Sequence, residues 1–358
     1  MVPISSKDKI LNAGDPANMA KAVSILRGEG VVAFPTETVY GLGADVFSAK
    51  AIGRVFEVKK RPSFDPLIVH VSSLEEAQGL WKEVPPVALD LMKRFWPGPL
   101  TLVLPKTDEV PDLVTSGLPT VAVRLPDSPI ALELIRGLGH PIAAPSANIF
   151  GYTSPTTASA VWEDLGDHVD LVLDGGPARV GVESTILKVE KNRCILLRPG
   201  GVPLETIEAC APVVRKKEGA GVCEAPGSLQ AHYAPWTALA LLDKPFGDFA
   251  KDLGEIFRTY EQKEIPWPRA GLLAFDAKGD MPWFESVEVL SESGNLHEAA
   301  HRLFGAIRKL DRMHLDLILA ERAPDEGLGM AINDRLGKAS GGRSGTRFLL
   351  DRLKQEGT

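Results

Sequence analysis

The sequence predicts two α/β domains: a twisted mixed sheet with helices around it, then a smaller open α/β unit with a mainly parallel sheet. Three observations predict this. The chain has 358 residues, and at about 150 residues per domain that length implies two domains. Short apolar runs of strand length alternate along it with stretches of helical spacing. In the first part several strands follow one another directly, which favours a mixed sheet, whereas in the second they alternate with helices, which favours a parallel one.

In the first part, Ala17 to Arg27 has helical spacing, with Ala20, Val23 and Leu26 on one face. Gly28 and Gly30 stop it, and Val31 to Phe34 reads as a strand. Ala49 to Val58 is a second helix, Leu67 to Val71 a strand and Leu74 to Leu80 a third helix. Ala88 to Phe95 is a helix ended by Trp96-Pro97-Gly98-Pro99, because proline cannot continue a helix. Leu100 to Leu104 and Val121 to Arg124 are strands, Ile130 to Gly137 a helix and Ile142 to Ala144 a strand. Leu171 to Leu173, Ser184 to Val189 and Cys194 to Arg198 complete a strand-rich end. Residues 1–212 form the first domain. Residues 213–235, rich in glycine and proline and without a regular period, form a linker. In residues 236–358 the strands are Ala238 to Leu242, Gly271 to Phe275, Val287 to Leu290 and Leu317 to Leu319. The helices there are Phe249 to Gln262, Leu296 to Leu310 and a last one starting near Gly329.

Composition excludes several classes. Hydrophobic residues make up 44% of the chain, enough for packed cores, so a disordered chain is excluded. The net charge of −7 excludes a broadly basic nucleic-acid coat. No apolar run reaches the ~18 residues of a membrane span, and the first residues lack the apolar stretch of a signal peptide. Cys194, Cys210 and Cys223 lack C-x-x-C spacing, which fits a reducing cytoplasm and no cysteine-ligated zinc. Glycine and proline, 34 and 28 residues, exceed average usage and imply many tight turns.

Those turns carry the polar residues. Phe34-Pro-Thr-Glu-Thr-Val-Tyr-Gly-Leu-Gly43 leaves a strand through two hydroxyls; such a turn can hold an anion or simply close on itself. Lys59-Lys60-Arg61-Pro62-Ser63 sets three cations at a helix end, as a phosphate or carboxylate clamp or as a solvated terminus. His70 closes one apolar run and Arg124 another; a ligand contact and a structural role are both open for each. Ser146 and Asn148 follow a buried strand two residues apart, so in extended geometry they share a face. Thr153 to Thr157, Asp174-Gly175-Gly176-Pro177, Glu183-Ser184-Thr185 and Arg198-Pro199-Gly200-Gly201 add hydroxyls, turns and another cation.

Taken together, PTETVYGLG, KKRPSFDPLIVHV, WPGPLTLVLP, VAVRLPDSP, PIAAPSANIFGYTSPTT, LDGGPARVGVESTI and LRPGG resemble the YrdC-like threonylcarbamoyl-AMP synthase family over about residues 15 to 205. HYAP at His232 to Pro235 and GLGMAINDRLGKAS at Gly327 to Ser340 resemble its longer members, which carry an additional C-terminal domain. The resemblance implies a large positive cavity in the first domain. It also implies an enzyme, a nucleotidyltransferase joining L-threonine, bicarbonate or CO2 and ATP into threonylcarbamoyl-AMP and pyrophosphate. The product would pass to a tRNA threonylcarbamoyltransferase complex for the modification beside the anticodon, in the cytoplasm, and contact with RNA is left open. Mg2+ is expected with ATP, without a protein metal cage or a prosthetic group.

Carried over by position, Lys59, Arg61, Ser146 and Asn148 would form the catalytic set. Thr36, His70, Arg124, Ser146 and Ser184 would bind threonine. Lys59, Arg61, Ser63, Thr120, Asn148, Thr156, Arg198 and Tyr233 would bind ATP, with Tyr233 reaching back from the linker. Phe64-Asp65 stands where the family often has Asp-Asn, and a loop adjustment is expected there. Two other readings compete. His297-Glu298-Ala299-Ala300-His301 matches H-E-x-x-H, and with Glu321 as third ligand it would make a zinc metallopeptidase. A non-catalytic RNA-binding module is the other. Gly337-Lys338-Ala339-Ser340 lacks the upstream glycine of a P-loop and is not one.

Overall fold

Eleven strands of the first part form one mixed sheet in the computed structural model, which describes residues 9–215, 224–227, 232–276 and 281–356. They are β1 (Ile10–Asn12), β2 (Val32–Pro35), β3 (Tyr40–Asp45), β4 (Ile68–His70), β5 (Leu100–Pro105), β6 (Thr120–Arg124), β7 (Ile142–Ala143), β8 (Leu171–Asp174), β9 (Thr185–Glu190), β10 (Arg193–Arg198) and β11 (Val213–Arg215). Their order is β1-β8-β2-β3-β7-β4-β6-β5-β9-β10-β11. β4 and β6 are parallel, as are β5 and β9, while β2–β3, β3–β7, β5–β6 and β9–β10 are antiparallel. This is the mixed sheet expected from consecutive strands.

Helices Pro16–Arg27 and Pro129–Leu138 cover one region of the sheet. Met19, Ala22, Val23 and Leu26 of the first meet Ala131, Leu134, Ile135 and Leu138 of the second, over Val32, Phe34, Leu171 and Leu173. Asp15 and Ser128 cap the two helices through backbone N–H groups. Ser128 also donates to the Pro35 carbonyl at 2.9 Å, which ties the second helix to the end of β2.

Some elements differ from expectation. Tyr40–Asp45 is a full strand, paired with β2 and β7, rather than only a turn running into glycines. Its glycines obscure the strand pattern, yet they are needed there: a Cβ on Gly43 would lie 2.6 Å from the Phe34 ring. A helix at Ala158–Leu165 follows the hydroxyl-rich stretch, and Thr157 is its N-cap, accepting from the Ala160 N–H. β11 lies within the stretch read as linker and pairs with β10. The rest of residues 213–235 is described only at 224–227 and 232–235, so residues 216–223, including Cys223, and 228–231 lie outside the described residues.

The chain divides into two compact units, Met1–Phe150 with Ser154–Leu229, and Gly151–Thr153 with Gln230–Thr358. In the second, β12 (Leu239–Leu241), β13 (Ala270–Ala274), β14 (Ser286–Val289) and β15 (Leu317–Ala320) form a wholly parallel sheet in the order β12-β15-β13-β14. Helices Phe246–Gln262 and Leu296–Asp311 lie near the expected bounds. The last expected helix is two, Gly329–Ser340 and Gly345–Glu356. The core of this unit gathers Phe246, Phe249, Leu253, Tyr260, Leu272, Leu317 and Leu319.

Candidate active site

The β2–β3 hairpin turn, Thr36 to Val39, is the first component. The Thr36 hydroxyl donates to the Val39 carbonyl at 2.7 Å and lies 2.8 Å from the Thr38 hydroxyl. The turn is a closed hydroxyl turn, as threonine at these positions favours. It is also a docking point. Val180 N–H donates to the Glu37 carbonyl at 2.7 Å and Gly181 N–H to the Thr38 carbonyl at 3.1 Å. Arg124 Nη1 donates to the Thr38 hydroxyl at 2.8 Å, Arg124 Nε to the Gly98 carbonyl at 3.2 Å, and the guanidinium forms an ion pair with Glu37.

Parallel pairing of β4 with β6 puts His70 opposite Arg124, the last residue of each strand. Both are buried. Burial, and then the Arg124 charge, push the His70 imidazole down to about 3, so it is a neutral hydrogen-bonding group at neutral pH.

A second component begins at Ser184, just before β9. Its hydroxyl lies 2.7 Å from that of Thr101 on β5. Arg198 Nη2 donates to the Ser184 carbonyl at 3.0 Å and to its hydroxyl at 3.2 Å. A register shift in the β9–β10 pairing falls between Leu196 and Arg198, and Arg198 Nη1 reaches the Pro226 carbonyl at 3.2 Å. Gly200 must be glycine here, since a Cβ would lie 2.3 Å from the Ser184 carbonyl carbon.

The third component joins the helix Ala49–Lys59 to the segment after β7. Lys60 takes a left-handed conformation (φ 53°) as the helix cap, so the three consecutive cations separate: Lys59 and Arg61 are buried and Lys60 is exposed. Lys59 Nζ donates to the Ser146 carbonyl at 2.5 Å, the Asn148 carbonyl at 2.6 Å and Asn148 Oδ1 at 3.2 Å. The Ser146 hydroxyl donates to the same Oδ1 at 2.5 Å. Burial first, and then Arg61, lower the Lys59 ammonium well below the usual range. Three carbonyl oxygens nevertheless receive three protons, which only the ammonium form can supply.

Arg61 donates to the Asp65 and Pro66 carbonyls, pairs with the Asp65 carboxylate at 2.9 Å and lies over the Phe150 ring at 5.8 Å. At Phe64-Asp65, Asp65 turns inward as the counter-ion of Arg61, while Phe64 is exposed.

The three components are one network. Ser146 bridges to Gly41 of β3, and Ala147 N–H donates to the Tyr40 carbonyl. Ser154 donates to Glu183 at 2.5 Å, and Glu183 acts electrostatically on Lys59. Of the expected site residues, Thr36, Lys59, Arg61, His70, Arg124, Ser146, Asn148, Ser184 and Arg198 come together in this way. Thr156 is buried beside them, its carbonyl accepting from Ala178 N–H. Ser63 is exposed on the loop after Arg61. Thr120 begins β6, about 13 Å of strand from Arg124 at 3.3 Å per residue. Tyr233 is buried in the second unit, against His232 (ring centroids 4.0 Å) and Phe304 (5.7 Å), with Arg335 over its ring at 5.0 Å. Sequence reasoning missed Glu37, Asp65, Ser154 and Glu183 as site components. Their signal was a carboxylate or hydroxyl inside each polar turn beside a cation-bearing one.

The zinc reading finds no support in the geometry. Glu298 accepts from the Ser291 hydroxyl at 2.6 Å. Glu321 accepts from the Phe246 and Phe275 N–H groups at 2.8 and 2.9 Å. No group of three or more metal-ligating side chains is placed to hold an ion among the described residues.

Residues 24–200 match the family model named for Sua5, YciO and YrdC and described as telomere recombination. Residues 202–341 match the model of the threonylcarbamoyl-AMP synthase C-terminal domain. The threonylcarbamoyl-AMP synthase of Pyrococcus abyssi is 43% identical over 327 residues, 90% of this chain and 94% of its own length. That of Bacillus subtilis is 42% identical over 338 residues, covering 93% and 95%. The crystal structure of Pyrococcus abyssi Sua5 complexed with L-threonine superposes with a TM-score of 0.83 at 42% identity, covering 91% of this chain and 95% of that one. With both parts matched over nearly their whole length, the chain belongs to the threonylcarbamoyl-AMP synthase family.

Proposed function

We propose that this chain condenses L-threonine, bicarbonate or CO2 and ATP into threonylcarbamoyl-AMP and pyrophosphate. The observation that carries the proposal is the end-to-end match to threonylcarbamoyl-AMP synthases, at 43% identity over 90% of the chain. The chemistry has two stages. The threonine amine, in its free-base form, adds through its lone pair to the CO2 carbon and gives up one N–H proton to solvent, leaving a carbamate. A carbamate oxygen then attacks the α-phosphorus of ATP, the bond from that phosphorus to the bridging oxygen breaks, and pyrophosphate leaves with the electron pair. This is nucleotidyl transfer between two anions, so its main requirements are alignment and neutralised charge.

The site supplies both. Lys59, Arg61, Arg124 and Arg198 are buried cations on fixed backbone, and fixed charges in a dry site stabilise developing charge strongly. Lys59 fixes Ser146 and Asn148 through three hydrogen bonds, so nucleotide and amino-acid groups would be positioned by one rigid segment. In our reading Thr36, His70, Arg124, Ser146 and Ser184 hold threonine. Lys59, Arg61, Ser63, Thr120, Asn148, Thr156, Arg198 and Tyr233 hold ATP. Mg2+ enters with the triphosphate, whose oxygens are its natural ligands. In the same reading the product serves tRNA modification beside the anticodon, and the chain works in the cytoplasm with that machinery. Separately, no helix among the described residues is long and apolar enough to cross a membrane.

The test mixes the full chain with ATP, L-threonine, bicarbonate and Mg2+. Pyrophosphate release that requires threonine, with a new adenylate in the mass spectrum, is the expected result. Release that is indifferent to threonine refutes the proposal.

A further inference from the structure

The Glu37–Arg124 pair is an anomaly within the network. Both side chains are buried, at 1% and 4% exposure. The Glu37 carboxylate meets Arg124 Nη2 in the ion pair, and among the described residues neither of its oxygens has a hydrogen-bond partner besides. Two other buried cations of the site are well served: Lys59 has three acceptors, and Arg198 four contacts to oxygen. Opposite charges taken out of water need hydrogen bonds as well as each other to offset their desolvation. Arg124 has two, to the Thr38 hydroxyl and the Gly98 carbonyl, but the Glu37 carboxylate has none beyond the ion pair itself, and that calls for an explanation.

The pair sits beside groups that read a small polar molecule. Thr36 and Thr38 flank Glu37 in the hairpin turn, Arg124 Nη1 holds the Thr38 hydroxyl, and His70 is in register with Arg124. The local charge is one cation and one anion, with a neutral imidazole between strands. A site of zero net charge that presents one cation and one anion side by side is complementary to an α-amino acid, itself a zwitterion with no net charge.

We propose that Glu37 is the acceptor for the ammonium group of the amino-acid substrate, so that Arg124 and Glu37 together clamp the zwitterion by its two ends. This rests on the reading that the chain binds L-threonine, and it adds a residue to that reading. On binding, the substrate carboxylate meets the Arg124 guanidinium, and the ammonium supplies Glu37 with the hydrogen bonds it lacks. The clamp makes selection for an amine a property of the site: an analogue with hydroxyl in place of ammonium leaves the Glu37 charge uncompensated. Sites built to bond a polar substrate group reject the analogue lacking it far more strongly than apolar pockets reject a missing methyl group.

The experiment titrates the full chain with L-threonine and, separately, with 2,3-dihydroxybutanoate, its α-hydroxy analogue. The unsubstituted protein is expected to prefer threonine by about 100-fold. In Glu37→Gln the ratio should fall to about 3-fold or less, because the amide no longer distinguishes a cation from a neutral group. Glu37→Asp, which keeps the charge, should retain a ratio above about 10. If Glu37 only braced Arg124, Glu37→Gln would weaken both ligands equally and leave the ratio unchanged; that result overturns the clamp. Equal binding of the two ligands by the unsubstituted protein overturns it without any variant. No binding of threonine at all by the unsubstituted protein overturns instead the reading on which the clamp rests.

Discussion

Replacing Lys59 with methionine tests the core of the mechanism. The side chain is 1% exposed, and its ammonium is bonded to two backbone carbonyls and one side-chain amide. Methionine keeps the length and the apolar stem but removes all three donors. Asn148 Oδ1 retains the Ser146 hydroxyl. The two carbonyls lose the donors they have here, at about 1–3 kcal/mol each if left without a partner. Relief of the buried charge offsets part of this, so a net loss of about 2–4 kcal/mol is expected. For a unit of this size that lowers the melting temperature by roughly 4–16 °C. Catalysis should fall further than stability. Removing one fixed group that stabilises developing charge typically costs ~10²–10³ in turnover, and Lys59 also aligns Asn148. The assay is threonine-dependent pyrophosphate release at a temperature where the variant is folded, with calorimetry on the same preparation. A folded Lys59→Met chain with turnover within about 3-fold of the unsubstituted protein would refute the role given to Lys59.

Three other outcomes are expected. Asp65→Asn leaves the Arg61 guanidinium without its buried counter-ion, which should cost about 3–5 kcal/mol and appear as a lowered melting temperature; an unchanged melt would show that the pair contributes nothing. The folded-state pKa of His70, about 3, lies below the ordinary 6.5, so the unfolded chain binds the extra proton first: the stability due to this group is intact above about pH 6.5 and is lost as pH falls toward 3. Between pH 7 and pH 5 this amounts to about 2 kcal/mol, visible as a steeper fall in melting temperature than His70→Gln shows; parallel curves would contradict it. Finally, metal analysis of the purified chain should find no stoichiometric zinc, whereas one zinc per chain lost on His297→Ala would revive the peptidase reading.

Much of the fold was legible because apolar patterning is local. Helix Pro16–Arg27 and strands β5 and β6 fall within a residue or two of their expected bounds, since each repeats a single period between clear stops. β3 was hidden because its glycines serve Phe34 across the hairpin, a requirement no local window contains. The split at Gly341 and the helix behind Thr157 were hidden for a related reason: cap and turn residues resemble loop. In the site, the cations and hydroxyls were legible as types in turns. Their partners were not. Asp65, four residues from Arg61, was the nearest to view, whereas Glu37 and Arg124 stand 87 positions apart in the chain and meet only through the sheet.

Those partners also explain how a chain of net charge −7 can present a site for two anions. Each recruited cation is stored against an internal carboxylate or carbonyl: Arg61 against Asp65, Arg124 against Glu37, Lys59 against the Ser146 and Asn148 carbonyls, Arg198 against the Ser184 carbonyl. The positive charge is therefore local and compensated until a ligand arrives, and it leaves no basic stripe for whole-chain electrostatics to reveal. Compensation by carbonyl and compensation by carboxylate are not equivalent. A carbonyl leaves the cation its full charge for a phosphate, whereas a carboxylate subtracts it. On that distinction Lys59 and Arg198 suit the more highly charged nucleotide, while Arg124, already paired, suits an electrically neutral zwitterion. Arg61, paired with the Asp65 carboxylate yet read as an ATP residue, is the exception, so in our proposal the bonding of each cation sorts three of the four between the two substrates.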